Sequence, residues 1–404
     1  MLRQFLDLPR AVHVLCLGTF INRAGAFVVL FLTFYLQEEL QLGGIFATQA
    51  IGFFGLGTFL AALIGGQLAD TIGRKTVMLI SLLGGASILL AFGHIRYPPL
   101  ILAATALFAF LMDMYRPAVS AMISDIVSVE QRPHAFGLMY IAINLGAAVA
   151  PLVGGLLATR AFAWLFWGDA ATSAAYAGII ALCVRETLVR EPRGGIDSAN
   201  SAKGPFHSAV HAYGRMLHDG PYVRFCLGTL FLSFVYMQSI STFPLYLKSL
   251  SLGPEVYGRA ISLNGLLVVL LQVPMTHLVT KFNRVRMIVF AALTTGLGFG
   301  LNGLAATPLA FSLTVVVWTI GELMQSPLVP SIVSDLAPAD LRARYFGLLT
   351  MCYSGGNLIA GPLGGWVLVR FGGGWLWGGC VGIGLLSAAL YASVRVRAPT
   401  PATH

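Results

Sequence analysis

The chain reads as an all-α membrane protein, with twelve transmembrane helices in two pseudo-symmetric six-helix bundles. Three observations carry that reading. Of 404 residues, 57% belong to the set AVILMFWYC and 10% are charged, with a mean hydropathy of +0.81; soluble domains are not built this way. Apolar runs of roughly 20 residues, the length a helix needs to cross about 30 Å of hydrocarbon, recur along the chain. Finally, sliding the chain by 210 residues sets it on itself without a gap. Pro117 falls on Pro327, Val119 on Val329, Ser124 on Ser334, Asp125 on Asp335 and Arg132 on Arg342. The match continues through Phe136/Phe346, Gly137/Gly347, Leu138/Leu348, Gly146/Gly356, Ala150/Ala360, Gly154/Gly364 and Gly155/Gly365. Twelve identities in 39 positions compare with roughly three expected by chance from so biased a composition.

In chain order, crossings are predicted at residues 11–37, 45–68, 76–95, 99–124, 135–159 and 162–184. Six more follow at 222–247, 256–278, 285–305, 308–333, 344–369 and 372–394. The domains are then an N-terminal bundle (1–184), a linker (185–221) and a C-terminal bundle (222–404). The opening MLRQFLDLPR runs into apolar sequence without a small-residue cleavage site, so it leads into a membrane helix and not a removed signal.

Eighteen of the 25 Lys and Arg residues lie in loops and ends on one side, among them Arg10, Arg74, Lys75, Arg132, Arg284 and Arg342; only Arg96, Arg160, Lys248, Arg259 and Arg370 lie opposite. By the positive-inside rule both termini are cytoplasmic. That distribution accounts for the net charge of +9; no aromatic-interleaved basic patch points to nucleic acid. Cys16, Cys183, Cys226, Cys352 and Cys380 fall in apolar segments without CxxC or metal-like spacing, so no metal is expected and they read as packing residues. The linker is rich in Gly, Ser, Pro and Asn; Phe206, Val210, Tyr213, Met216 and Leu217 fall at helical spacing within Pro205–Leu217, compatible with a short amphipathic helix on the membrane surface or with a loose tether.

Between the second and third crossings stands GQLADTIGRK. Gly66 and Gly73 are suited to close approach and turning, and Asp70, Arg74 and Lys75 put one acid and two bases at the water boundary. The ordered pattern G-x-L-A-D-x-x-G-R-K resembles the loop between helices 2 and 3 of the major facilitator superfamily. The resemblance implies a structural and gating role for Asp70, facing the first turn of a neighbouring helix. In the second repeat the loop becomes THLVTKFNRVR, which keeps bases and loses the acid. Asp125 with Arg132, repeated as Asp335 with Arg342, is read as a further pair of gate contacts at the ends of crossings four and ten.

The fifth crossing carries Gly137, Gly146, Ala150, Pro151, Gly154 and Gly155 as G-x8-G-x3-A-P-x2-G-G. Small residues allow close helix packing and Pro151 permits a bend. The pattern resembles the helix 5 signature of the drug:proton antiporter branch, with Ala150 where that branch has glycine; the arginine that branch carries early in helix 4 is missing. Generic small-residue packing is the other reading. What the resemblance implies is a proton-coupled exporter of small hydrophobic or amphipathic molecules, working by alternating access in the inner membrane, monomeric, and driven by a proton gradient without a cofactor. The alternatives are proton-coupled uptake of a polar solute such as a sugar or organic anion, or a membrane receptor or scaffold that transports nothing. No Walker loop, HExxH or GxSxG is present, so nothing argues for ATP-driven pumping or for an enzyme.

Charges inside apolar crossings cost at least about 2.5 to 3.5 kcal/mol and mark cavities or partners. Asp113 and Arg116, three apart in the fourth crossing, share a helical face. The resemblance implies that helices 1, 4, 7 and 10 line the central cavity, which would gather Arg23, Asp113, Arg116 and Glu322 around one site. Glu322, set among apolar residues in WTIGELMQSP, is the first choice for the proton carrier, since desolvation penalises a charged carboxyl; Asp113 is the second. The competing readings are a fixed polar clamp for Arg23, Asp113 and Arg116 and a packing hydrogen bond for Glu322. Asn22, Phe27, Phe31, Tyr236, Gln238, Asn264 and Gln272 are further candidates for substrate contact, each also explicable as helix bridging or packing. Asp169 is read as lying near the outer boundary of a peripheral helix, off the transport path.

Overall fold

The computed structural model describes residues 7–128, 131–187, 216, 218–279, 281–338 and 342–394, without the side chains of Asp70, Pro133, Arg342, Ala343 and Arg344. The expected linker helix at 205–217 falls almost wholly outside these residues.

The described residues form helices joined by short loops, with no strand among them. Its first half comprises α1 (Arg10–Ala24), α2 (Val28–Glu38), α3 (Gly44–Ile72), α4 (Arg74–Phe92), α5 (Pro98–Ile126), α6 (Arg132–Ala158) and α7 (Ala163–Cys183). Its second comprises α8 (Gly220–Ser241), α9 (Phe243–Ser249), α10 (Pro254–Val279), α11 (Arg284–Gly300), α12 (Pro308–Leu336), α13 (Arg342–Phe371) and α14 (Gly373–Ala392). Among the described residues, eleven helical stretches are long and apolar enough to cross a membrane, α1 and α2 counting together as one. The twelfth, α13, has 30 residues and carries Gly347, Gly355, Gly356, Gly361, Gly364 and Gly365 together with Asn357 in place of larger apolar side chains.

Two crossings expected to be continuous are interrupted. The first breaks at Gly25–Phe27 and the seventh at Thr242. The hairpin expected from Gly66 onward is also shorter. The helix runs on to Ile72, and Gly73 alone makes the turn, at φ +106°. Gly66 is inside α3 with open space where a Cβ would be, so neither a turn nor a close approach requires it.

Burial separates the core into three clusters. One joins Val12, Met78, Met122 and Tyr176 of the first half; a second joins Tyr222, Ile288, Ile332 and Tyr391 of the second. Both lie toward the side of the membrane that holds the termini. The third draws on both halves, through Phe31, Phe34, Tyr257, Phe243 and Trp377, and lies toward the far side. The apolar cluster shared by the two halves therefore lies on the far side, while on the termini side each half has a cluster of its own.

Contacts between the halves repeat with the offset found in the sequence. A Cβ on Gly55 would lie 2.8 Å from the Cα of Leu358, and one on Gly265 would lie 2.6 Å from the Cα of Ala148. A Cβ on Gly258 would lie 2.4 Å from the Pro151 carbonyl oxygen, as one on Gly361 would from that of Thr48. Each pair maps onto its mate by 210 residues with the halves exchanged. Contacts within the halves repeat too: Gly18 lies against the Tyr176 ring as Gly228 does against Tyr391. Two non-glycine residues with positive φ among the described ones, Gln41 at 54° and Ser251 at 59°, occupy equivalent far-side turns.

Candidate functional site: a cavity between the halves

The far-side closure leaves a cavity of about 680 Å³ between the bundles, lined from the first half by Arg23, Phe54, Met112, Asp113 and Arg116 and from the second by Met237, Ile240, Tyr353 and Asn357. A second hollow of about 300 Å³ adjoins it, sharing Met237, Tyr353 and Asn357 and reaching Tyr236, Gln325 and Glu322. Arg23, Asp113, Arg116 and Glu322 thus face two adjoining hollows.

The cationic wall comes from α1 and α5. Arg116 Nε sits 2.8 Å from Asp113 Oδ1, one helical turn away as their spacing demands. Among the described residues no ion pair joins Arg23 to Asp113, and Arg23 Nε is buried without a hydrogen-bond partner. The fixed inter-helical clamp is therefore not what the side chains form. Arg23 owes its place to Gly146, where a Cβ would come within 2.5 Å of the Arg23 Cβ. The other small residues of the fifth crossing divide their work: Gly154 receives Phe27 and Phe31 of its own half, and Gly155 faces Pro254 and Gly258 of the other.

The acidic wall comes from α12. Glu322 Oε2 accepts a hydrogen bond of 2.7 Å from Asn264 Nδ2, and the same amide lies 3.0 Å from Thr319 Oγ1. The Tyr236 hydroxyl adjoins both Glu322 and Asn264. No cation stands within ion-pair distance of Glu322 among the described residues.

Several expected cavity residues lie elsewhere. Phe27 and Phe31 are buried in the far-side closure, where Phe31 meets Tyr257 edge to face at 5.5 Å. Gln238 is 0% exposed and bridges helices, its Nε2 donating to the carbonyls of Phe234 and Ala360. Gln272 donates to the Leu323 carbonyl and accepts from Tyr140 at 3.3 Å, a polar tie between the halves. Asn22 donates to Ser173 at 2.9 Å on the flank of α7. Asp169, in the second turn of α7, is 4% exposed, turned into the first bundle.

The termini-side contacts also differ from the expected pairs. Asp125 binds Arg74 Nε at 3.0 Å and Thr187 Oγ1 at 2.7 Å, whereas Arg132 donates to the Ser124 carbonyl. In the second half Asp335 pairs with Arg284. These ion pairs are again 210 residues apart: in each half a base of the inter-helix loop reaches the carboxyl, and among the described residues Arg132 makes no ion pair with Asp125. The side chains of Asp70 and Arg342 are outside the described residues. Glu186, unremarked in the sequence, accepts from the backbone N–H groups of Arg74 and Lys75 at 3.0 Å each and caps α4; only its place after an apolar run could have flagged it. Lys75 Nζ reaches the Ala181 carbonyl at 2.8 Å.

A sequence profile described as the Major Facilitator Superfamily matches residues 15–256 and 225–404. The chain belongs to that superfamily. It is 28% identical over 392 residues to a "Na(+), Li(+), K(+)/H(+) antiporter" of Planococcus maritimus, covering 91% of this chain and 92% of the relative. It is 27% identical over 361 residues to a "Multi-drug resistance efflux pump PmrA homolog" of Lactococcus lactis, covering 86% and 84%. Among solved structures, the POT family transporter PepTSo superposes with a TM-score of 0.77 at 19% identity, covering 96% and 97%. A D-xylose-proton symporter superposes at 0.74 and 17%, covering 95% and 97%. At those identities the superpositions carry the fold, the superfamily's bundle of about twelve helices. The superfamily's members are transporters, and this chain is a multi-pass membrane transporter.

Proposed function

We propose that this transporter couples proton entry to export of small amphipathic molecules across the inner membrane, with both termini in the cytoplasm. One observation carries the reading: the cavity between the halves sets an acid without an ion-pair partner, Glu322, against an Arg–Asp–Arg wall on the other half. Rocking the bundles 1–184 and 222–404 about their shared contacts would expose that cavity to either side in turn. Protonation of Glu322 removes a charge from one wall and so changes which arrangement of the halves is favoured. Asp113, already held by Arg116, is the second proton-coupling residue. The size of the hollows and their lining by Phe54, Met112, Met237, Tyr236 and Tyr353 suit an organic molecule with an apolar body. The antiporter relative and the helix 5 pattern support exchange over uptake.

The test is flux of ethidium in proteoliposomes under an imposed pH gradient. Wild type accumulates or expels the dye with the gradient; Glu322→Gln abolishes gradient-driven movement while leaving dye binding and exchange in place. Gradient-driven flux at the wild-type rate in that variant would remove Glu322 from the mechanism. A second reading, alkali-cation/proton exchange, rests on the Planococcus maritimus relative, and sodium or potassium replacing ethidium in the same vesicles tests it.

A further inference from the structure

The break in the first crossing lies against α7, which holds it at three levels. Below the break, Asn22 Nδ2 donates to Ser173 Oγ at 2.9 Å. At the break, a Cβ on Gly25 would come within 2.0 Å of Thr172 Oγ1, and one on Gly168 would come within 2.9 Å of the Phe27 ring. Above it, the Asp169 carboxyl accepts from the Val28 backbone N–H at 3.3 Å. Val28 opens α2, so this is a side-chain cap on a helix that begins within the membrane, where its first N–H groups have no water to meet.

What α2 carries gives the cap its interest. Phe31 and Phe34 pack on Tyr257 of the opposite half at 5.5 and 5.9 Å, and Glu38 at its end approaches Lys248 at 4.0 Å. The helix is the first half's share of the far-side closure. Directly beneath the break, Arg23 stands in the last turn of α1 on the cavity wall. The second half has no such device. Tyr391 takes the place of Tyr176 against the equivalent glycine, which sets Gly384, packed on Gly296, in the place of Asp169, and the positions equivalent to Gly25–Phe27 lie within the unbroken α8. The duplication alone therefore does not account for the acid.

We propose that Asp169 is the positioning residue of the far-side gate, fixing α2 in its closed seat by capping it at the break. Loss of the cap frees α2 to tilt at Gly25–Phe27 and lets the far side open. The test uses the full chain in nanodiscs, with the five native cysteines replaced and nitroxides on Glu39→Cys and Ser249→Cys, exposed sites at the ends of α2 and α9. Asp169→Ala and Asp169→Ser, neither of which reaches Val28, are expected to raise the long-distance population at least fivefold. Asp169→Asn, whose amide oxygen still accepts, is expected to keep the parent distribution, as is Leu182→Ala, a control at an exposed site of the same helix. Parent distributions in both the alanine and serine variants would overturn the assignment. Should neither fold, deuterium uptake over residues 25–31 of Asp169→Asn decides: the weaker acceptor raises it at least threefold, and uptake equal to the parent's overturns the proposal. The measurement needs no substrate, so its outcome is independent of what the transporter carries.

Discussion

Asn264 hands its amide hydrogens to Glu322 and Thr319, and so one residue of α10 orients the acid that α12 points at the cavity. Hydrogen bonds between membrane helices average about 0.6 kcal/mol with a maximum near 1.7. Asn264→Ala should accordingly lower the thermal midpoint only slightly, while gradient-driven flux falls several-fold because Glu322 loses its orientation. Unchanged flux in liposomes would show that the amide serves packing alone.

The glycine contacts between halves predict paired defects. Gly55→Val and Gly265→Val each drive a side chain into the backbone opposite, at Leu358 and Ala148. Overpacking of this kind costs about 1 to 3 kcal/mol. Because the two sites are related by the repeat, the losses should be similar, as read from melting in detergent. A large loss at one site only would mean that the halves are less alike under load than their contacts suggest.

On the termini side, Arg74→Ala and Arg284→Ala each remove one of two equivalent ion pairs. Partly exposed pairs contribute about 0 to 1 kcal/mol, so melting should barely move. Transport should respond more strongly to Arg74→Ala, because Asp125 also holds Thr187 beside the Glu186 cap of α4. Equal transport defects would show that this extra anchoring is idle.

Charge exchange tests the far side. Glu38→Lys should raise labelling of a far-side cysteine by an impermeant maleimide about two- to fivefold, in line with a contact worth about 0.5 to 1 kcal/mol. The double exchange Glu38→Lys with Lys248→Glu should return labelling to the parent rate. Failure of the double variant to restore it would leave the approach of these residues without consequence.

Much of this was legible in the chain. Crossing lengths and the repeat follow from hydropathy and identity at a fixed offset, because a membrane admits few backbone solutions. That Arg23, Asp113, Arg116 and Glu322 need a cavity or a partner follows from the cost of charge in hydrocarbon; that they gather around one site was what the resemblance implied. What the chain withheld depends on partners distant in sequence. Phe31 and Gln238 look like cavity residues until Tyr257 and Ala360 arrive beside them. Asp125 looks paired with Arg132, which is closer in sequence, until the loop brings Arg74 to it. The interruption at Gly25 has no proline to announce it and rests on a carboxyl more than 140 residues away.

Glu38 and Lys248 are counterparts of one another, 210 residues apart, and they approach across the pseudo-twofold axis itself. In a dimer of two identical half-length chains, a residue at such a place meets its own copy. Glutamate would then oppose glutamate, or lysine lysine. An attractive clasp at this point is open only to halves that differ in sequence, as the duplicated segments of this chain do.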